Sequence, residues 1–344
     1  MKVDGKDIRT IWLDENKNSV RIIDQRKLPH EFVIVDLKTV DDAITAIKDM
    51  YVRGAPLIGV TGAYAVYLAT MNAPDAGIDY DYLIGEADRI KAARPTAVNL
   101  RWAVDRLVRA AAQSTDDLYG CLRREAEDIH EEDRQICRAI GAHGQSLIKP
   151  GVGVLTHCNA GALAVSELGT ATAPLYLAYL AGVSFRVFVD ETRPLLQGAR
   201  LTAWELLQAG LDVTLICDNM AARLMAEGEI DMVMVGTDRV VANGDVINKI
   251  GTSALAILCA HFEIPFYVAC PSSTFDARTA AGAEVIIEER DPFEVTGNTA
   301  PAGVKVRNPA FDVTPHQLVT ALITDAGIIT PPFATNLGAL QSRQ

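Results

Sequence analysis

Cys158 closes a short apolar run, in Thr156-His157-Cys158-Asn159-Ala160-Gly161. A thiol placed where a strand enters a helix meets the helix's N-terminal N–H groups, which favour the thiolate and suit acid/base or nucleophilic work. The ordinary alternative is a buried Cys acting as a small hydrophobe. That reading fits Cys121, Cys137, Cys217, Cys259 and Cys270. The flanking His157 and the Asn-Ala-Gly turn point to function at Cys158. Asp238 follows a second apolar run, Met232–Val235, in Gly236-Thr237-Asp238-Arg239. A carboxylate partly desolvated at such a rim has a raised pKa, suited to general acid/base catalysis. Its structural alternative is a salt bridge to Arg239 or Arg193. His157 and Cys158 are adjacent, so as strand residues they face opposite sides and chelate poorly. No second His/Cys cluster has ligand spacing, and no metal is expected.

Other residues suit an anion. Val52-Arg53-Gly54-Ala55-Pro56 puts an Arg and a Gly just before a helix, where helix N–H groups and a guanidinium act together. Arg94-Pro95-Thr96-Ala97-Val98-Asn99 is a second loop of this kind. Plain helix capping explains either loop alone. With Lys249 and Arg193 added, a phosphate is the expected ligand. The turns Asn159-Ala160-Gly161 and Val240–Gly244 are expected to offer further N–H groups. No GxGxxG follows a strand and no GxxxxGK[ST] occurs. Dinucleotide and nucleoside-triphosphate sites therefore lack their fingerprints, and no cofactor is expected.

These residues need elements to position them. Candidate strands Ile8–Leu13, Val20–Ile23 and Glu31–Val35 open the chain. Helical spacing then runs through Ala43–Tyr51, Pro56–Thr70, Tyr80–Ala93, Leu100–Ser114 and Leu118–Leu147. Pro56 fits a first helical turn, and residues 72–77 read as a loop. After Lys149-Pro150-Gly151 the pattern changes to short apolar runs alternating with helices: Val152–Thr156, Phe185–Val189, Val213–Ile216, Met232–Val235, Phe266–Ala269 and Glu284–Ile287. Such runs suit strands covered on both faces, in a parallel, doubly wound sheet. The expected fold is α/β: a mainly helical N-terminal domain with a small β-sheet at its start (1–147), then a Rossmann-like C-terminal domain (148–344). In open sheets of this kind ligands bind beyond the carboxyl ends of the strands. Five strand ends deliver polar residues there: Cys158 with its neighbours; Asp190 to Arg193 with Gln197; Asp218-Asn219; Asp238 with Asn243, Asn248 and Lys249; and Ser272-Ser273. Capping accounts equally well for Asp218-Asn219 and for Ser272-Ser273.

Composition bounds the rest. The 344 residues are 49% apolar and 22% charged, which suits a globular protein with a sizeable core. The formal charge of −12 disfavours nucleic acid and anionic membranes as partners. Six cysteines without CxxC spacing read as reduced thiols, the N-terminus carries no apolar signal core, and no run approaches a membrane span. A cytoplasmic protein is expected.

Taken together, Arg53-Gly54-Ala55-Pro56, Arg94 to Leu100, Thr156 to Gly161, Thr192 to Gly198, Gly236-Thr237-Asp238-Arg239, Asn243-Gly244-Asp245 and Asn248-Lys249 closely resemble the methylthioribose-1-phosphate isomerase family. Asp24 to Pro29 and Arg307 to Asp312 fit as well, so the resemblance spans nearly the whole chain. The superfamily also holds ribose-1,5-bisphosphate isomerases and the regulatory subunits of translation initiation factor 2B. The resemblance implies a homodimer that converts 5-methylthioribose 1-phosphate to 5-methylthioribulose 1-phosphate in methionine salvage. It puts catalysis on Cys158 and Asp238, and substrate contacts on Arg53, Gly54, Ala55, Arg94, Gln197, Asn248 and Lys249. Thr237 departs from the family's Ala before the Asp. Ribose 1,5-bisphosphate and 5-deoxyribose 1-phosphate are alternative substrates, and a non-catalytic regulatory subunit is the alternative outside enzymes.

Overall fold

The computed structural model describes residues 1–71, 80–95, 97–114 and 117–341. The loop expected at 72–77 and Thr96 lie outside these. The chain forms two compact units. The first comprises Met1, Lys6–Gln135 and Ala162–Gly169, and the second Lys2–Gly5, Ile136–Gly161 and Thr170–Gln344.

The first unit opens with an antiparallel sheet of Ile11–Asp14, Ser19–Ile23 and Ile34–Leu37, paired in chain order. The outer two strands each start three residues later than apolar patterning alone suggests. Helices follow at Val40–Lys48, Ala55–Met71, Tyr80–Lys91 and Val98–Gln113, and a longer one spans Leu118–Gly144. The first begins at Val40 because Thr39 and Asp42 form a reciprocal capping box. Ala55–Met71 is buried from Leu57 to Thr70. A helix apolar on every side must be enclosed by its neighbours. Gly59 and Gly62 lie against Asn99 and Leu100 of the helix Val98–Gln113. The two helices therefore start side by side, and each is preceded by one of the Arg-bearing loops. Among the described residues, no helix is long and apolar enough to cross a membrane.

His130 is buried in this unit, its Nδ1 2.9 Å from the Tyr64 hydroxyl. Burial, with help from the Arg9 and Arg134 charges, pushes its pKa from 6.5 down to about 4. The unfolded chain thus binds a proton that the folded one refuses between those values. Stability from this residue is full above pH 6.5 and falls away as the pH drops toward 4. The whole interval corresponds to roughly 3 kcal/mol. Urea unfolding at stepped pH checks this: His130→Gln should flatten the acid limb relative to wild type.

The second unit is built on a seven-stranded sheet. Its spatial order is Gly327–Ile329, Ala321–Thr324, Phe266–Ala269, Met232–Val235, Gly153–Thr156, Arg186–Asp190, Asp212–Ile216. All pairings are parallel except that of Gly327–Ile329. Numbered along the chain, the six parallel strands lie in the order 6-5-4-1-2-3, the doubly wound Rossmann arrangement. Five of them match the expected runs to within a residue at either end. The sixth does not. Glu284–Ile287 is no strand: Gly282–Glu284 is a single 3₁₀ turn and Ile286 is 96% exposed. Acidic Glu284, Glu288 and Glu289 bracket the apolar run Val285-Ile286-Ile287 and keep it at the surface. The sixth strand is Ala321–Thr324, buried throughout. A smaller sheet carries Phe275–Asp276, Arg239–Val241, Val246–Lys249 and Phe311–Thr314 in that order.

Candidate active site

In a doubly wound sheet the chain turns in opposite directions from strands one and four, which leaves a crevice beyond their carboxyl ends. Here those strands are Gly153–Thr156 and Met232–Val235, hydrogen-bonded neighbours with Leu155 opposite Val233. Cys158 and Asp238 follow them directly. The two strand exits touch: a Cβ on Gly236 would come within 2.5 Å of the Ala160 methyl. The Ala160 methyl therefore leaves room only for glycine there, and this close approach brings the Cys158 and Asp238 loops together.

Cys158 is half-buried and left-handed, with φ +64°. It is not at an α-helix N-terminus as expected. The next segment is a 3₁₀ turn at Ala162–Ala164, and the next α-helix begins only at Ala173. Local hydrogen bonds hold it instead. Its N–H donates to Thr192 Oγ1 at 2.8 Å, and its carbonyl accepts from Thr202 Oγ1 at 2.6 Å. Below it, His157 is buried. Its Nε2 lies 2.9 Å from the Ile250 carbonyl and its Nδ1 3.0 Å from Asp190 Oδ2. Burial opposes charge on this imidazole, but the Asp190 carboxylate and the Ile250 carbonyl outweigh burial and raise its pKa. Asp218 stands close enough to complete a metal-like trio with His157 and Asp190. Its two oxygens accept the Thr192 and Arg193 N–H groups, each at 2.7 Å. That is the capping role foreseen as one alternative for Asp218. Ser272 is likewise structural, with its N–H and hydroxyl both bonded to Asp325.

Asp238 is exposed, so the expected desolvation at the strand rim is absent from the free chain. Its N–H donates to the Ile247 carbonyl at 3.0 Å. Arg239 pairs with Asp276 at 3.1 Å. The Arg193 guanidinium donates to the Pro194 and Val295 carbonyls. Thr237 earns its place through its hydroxyl, which lies 2.8 Å from the Ile247 carbonyl and accepts the Arg239 N–H at 3.2 Å. This local turn chemistry fixes the loop that presents Asp238.

Gln197 is 9% exposed, and its Oε1 has no donor among the described residues. Such an acceptor at the end of strand two suits a sugar hydroxyl. Asn248 is buried and donates to Thr252 Oγ1 at 3.0 Å. Lys249 donates to the Ala310 carbonyl at 3.1 Å and sits 4.7 Å from the Phe311 ring centre. Asp312 accepts the Gly251 and Ser253 N–H groups, pinning the helix that starts at Thr252 just beyond Lys249. The turn expected at Val240–Gly244 is a strand as far as Val241. Its N–H groups from Val241 to Gly244 are spent on Asp245, Thr279, Ala280 and Val241 carbonyls, so it offers no anion cradle.

In the first unit, Arg53 and Arg94 are partly exposed. Gly54 has φ +91°, and a Cβ there would strike the Ala164 backbone. Only glycine can turn the chain so tightly between Arg53 and the helix beginning at Ala55. Sequence patterning did not single out Thr192 or Thr202 as individual residues. Their role is visible only once distant backbone segments meet, since hydroxyls near strand ends usually cap turns.

The profile of the initiation factor 2 subunit family matches residues 51–331. A methylthioribose-1-phosphate isomerase from Symbiobacterium thermophilum is 51% identical, covering 98% of each chain. A 5-deoxyribose 1-phosphate isomerase from Clostridium botulinum is 49% identical, covering 97% of this chain and 99% of its own. The crystal structure of 5-methylthioribose 1-phosphate isomerase from Pyrococcus horikoshii superposes with TM-score 0.93 at 41% identity, over 98% of this chain and 97% of that one. That of translation initiation factor eIF-2B, subunit delta, from A. fulgidus gives 0.91 at 42% identity, over 98% and 100%. Paired strand exits at the sheet's switch point, full-length identity near one half and a matching backbone lead to one conclusion: this chain belongs to the initiation factor 2 subunit family.

Proposed function

We propose that this protein converts 5-methylthioribose 1-phosphate to 5-methylthioribulose 1-phosphate, a step of methionine salvage, as a cytoplasmic homodimer. At the coarser level the chain is a sugar-phosphate isomerase, in line with its relatives of that activity. The observation that carries the reading is the pairing of a thiol and a carboxylate, Cys158 and Asp238, on adjoining strand exits at the switch point.

The chemistry suits the pair. With its phosphate on the anomeric carbon, the substrate lacks the free hydroxyl through which ordinary aldoses open. An acid must protonate the ring oxygen as the bond from C1 to that oxygen breaks. One hydrogen then moves from C2 to C1 while the C2 hydroxyl loses its proton, giving a ketone and a CH₂ that bears the phosphate. Atoms balance within substrate and catalyst, and no oxidant is needed. We assign the acid/base role to Asp238 and proton relay or stabilisation at the reacting carbons to Cys158. Arg53, Gly54, Ala55, Arg94, Gln197, Asn248 and Lys249 are assigned to substrate contact. For Gln197 the support is its unsatisfied Oε1.

Turnover of 5-methylthioribose, 5-deoxyribose and ribose phosphates, compared by kcat/KM, tests the substrate. The proposal expects the methylthio sugar to be preferred, with the deoxy sugar next. A preference for ribose 1,5-bisphosphate would overturn it, and absence of any turnover would favour a non-catalytic subunit, in line with the A. fulgidus relative's name as a translation initiation factor subunit. Run in heavy water, the same assay separates two routes. An enediolate places solvent deuterium at C1 of the product, whereas a direct hydride shift leaves C1 unlabelled. Sedimentation equilibrium checks the dimer, which a monomer at assay concentrations would exclude.

A further inference from the structure

We propose that Thr192 and Thr202 are positioning residues, whose hydroxyls clamp the two peptide groups of Cys158 and hold it in the left-handed conformation from which its thiol acts. The inference rests on the isomerase reading of Cys158.

The first observation is conformational. Cys158 has φ +64°, and Thr192, which bonds it, also has φ +64°. Left-handed backbone is uncommon for non-glycine residues and a clear outlier for a β-branched one. Such conformations persist only where surroundings over-determine them, and they gather at functional sites. Glycine would adopt this turn freely, so a cysteine here is retained against the local backbone preference.

The second observation is the set of bonds that over-determine it. Thr192 Oγ1 accepts the Cys158 N–H at 2.8 Å while lying 3.1 Å from the Asp190 carbonyl, to which it donates. Thr202 Oγ1 donates to the Cys158 carbonyl at 2.6 Å while accepting from Asn159 Nδ2 at 3.0 Å. Both threonines are fully buried. Each hydroxyl acts as donor and acceptor at once, which neither a methyl nor an ammonium can do. Thr192 is fixed in turn by Asp218, which takes its N–H at 2.7 Å. Thr202 closes a π-helical turn, Gly198–Thr202, a form rare in general and frequent at functional sites. The segment that follows the strand Arg186–Asp190 thus supplies one hydroxyl for each side of the Cys158 residue, Thr192 from its first turn and Thr202 from the π-helical turn.

Thr192→Val and Thr202→Val keep side-chain shape and remove the hydroxyl; Thr192→Ser and Thr202→Ser keep the hydroxyl. The full chain is assayed for kcat, KM and, by peptide-resolved mass spectrometry, the rate of iodoacetamide alkylation at Cys158. The valine variants are expected to lose roughly 10–100-fold in kcat with KM little changed, the cost of misplacing a reacting group. Their alkylation rate should depart from wild type at Cys158 and not at the partly exposed Cys121 or Cys217. The serine variants should restore both readouts. Valine variants that fold, turn over and alkylate like wild type would overturn the clamp, as would serine variants as impaired as the valine ones. If the valine chains do not fold, the serine pair decides the matter by the same criterion. Wild-type protein that isomerises no sugar phosphate would sink the activity reading alone, because the alkylation rates still report on the clamp.

Discussion

Replacing Asp238 by asparagine is expected to lower kcat by roughly 10²–10⁴-fold, the range typical of removing a positioned acid/base. KM should change far less, because the amide keeps the carboxylate's size and loses only the transferable proton. Cys158→Ser should fall in the same range, since a hydroxyl is a much weaker acid than a thiol at neutral pH. The physical basis is placement. Both residues leave neighbouring strands at the point where the chain reverses, and Gly236 against Ala160 fixes the separation of their loops. Steady-state kinetics on both variants checks the pair. Near-normal kcat in both would remove them from the chemistry, whereas loss in one alone would assign the proton transfers to that residue.

Asp190→Ala is expected to cost about 3–5 kcal/mol of folding stability, the usual penalty for leaving one member of a buried charged pair alone. His157 is 2% exposed and Asp190 1% exposed, so water cannot replace the lost partner. The Ile250 carbonyl only accepts, so His157 Nε2 must carry a hydrogen, and the ring and Asp190 share a further proton between them. The folded pair holds its proton to higher pH than a free histidine does. Its stabilisation is therefore complete below pH 6.5 and declines as the pH rises through the higher folded value. Denaturant unfolding at pH 6 and at pH 9 checks both parts. The wild type should lose stability toward alkaline pH, and Asp190→Ala should lower the curve and remove much of that slope. An Asp190→Ala chain as stable as wild type would show that the pair is not an ionic one.

The two pH effects oppose each other by position. His130 is forced neutral among apolar neighbours and weakens the fold on the acid side, whereas His157 faces a carboxylate and weakens it on the alkaline side. Nothing in the local sequence around either histidine distinguishes them. The distinguishing partners, Tyr64 for one and Asp190 for the other, are 66 and 33 residues away.

Apolar periodicity made most elements of this chain legible. A strand enclosed by helices must be a short continuous apolar run, and five of the six parallel strands announce themselves so. Periodicity failed where burial is decided by neighbours: Val285-Ile286-Ile287 looks like a strand and Ala321–Thr324 hardly does. What separates them is the acidic company of the first and the room beside Phe266–Ala269 for the second. Helix starts shifted for a related reason, because a capping pair such as Thr39 and Asp42 sets the boundary more firmly than the first apolar residue does.

At the candidate site the division is sharper. The sequence by itself determined the chemical inventory: a thiol and a carboxylate after two apolar runs, two Arg-bearing loops before helices, and the string of motifs that marks the family. Residue type and spacing suffice for that, because strand ends in a doubly wound sheet converge on one edge. Only the tertiary structure decided how the inventory is held. It placed strands one and four side by side, left Asp238 exposed, and replaced the expected helix N-terminus at Cys158 by two threonine hydroxyls from residues 34 and 44 positions away. Hydrogen bonds of that kind join backbone segments that meet only after the sheet has formed, so no local pattern encodes them.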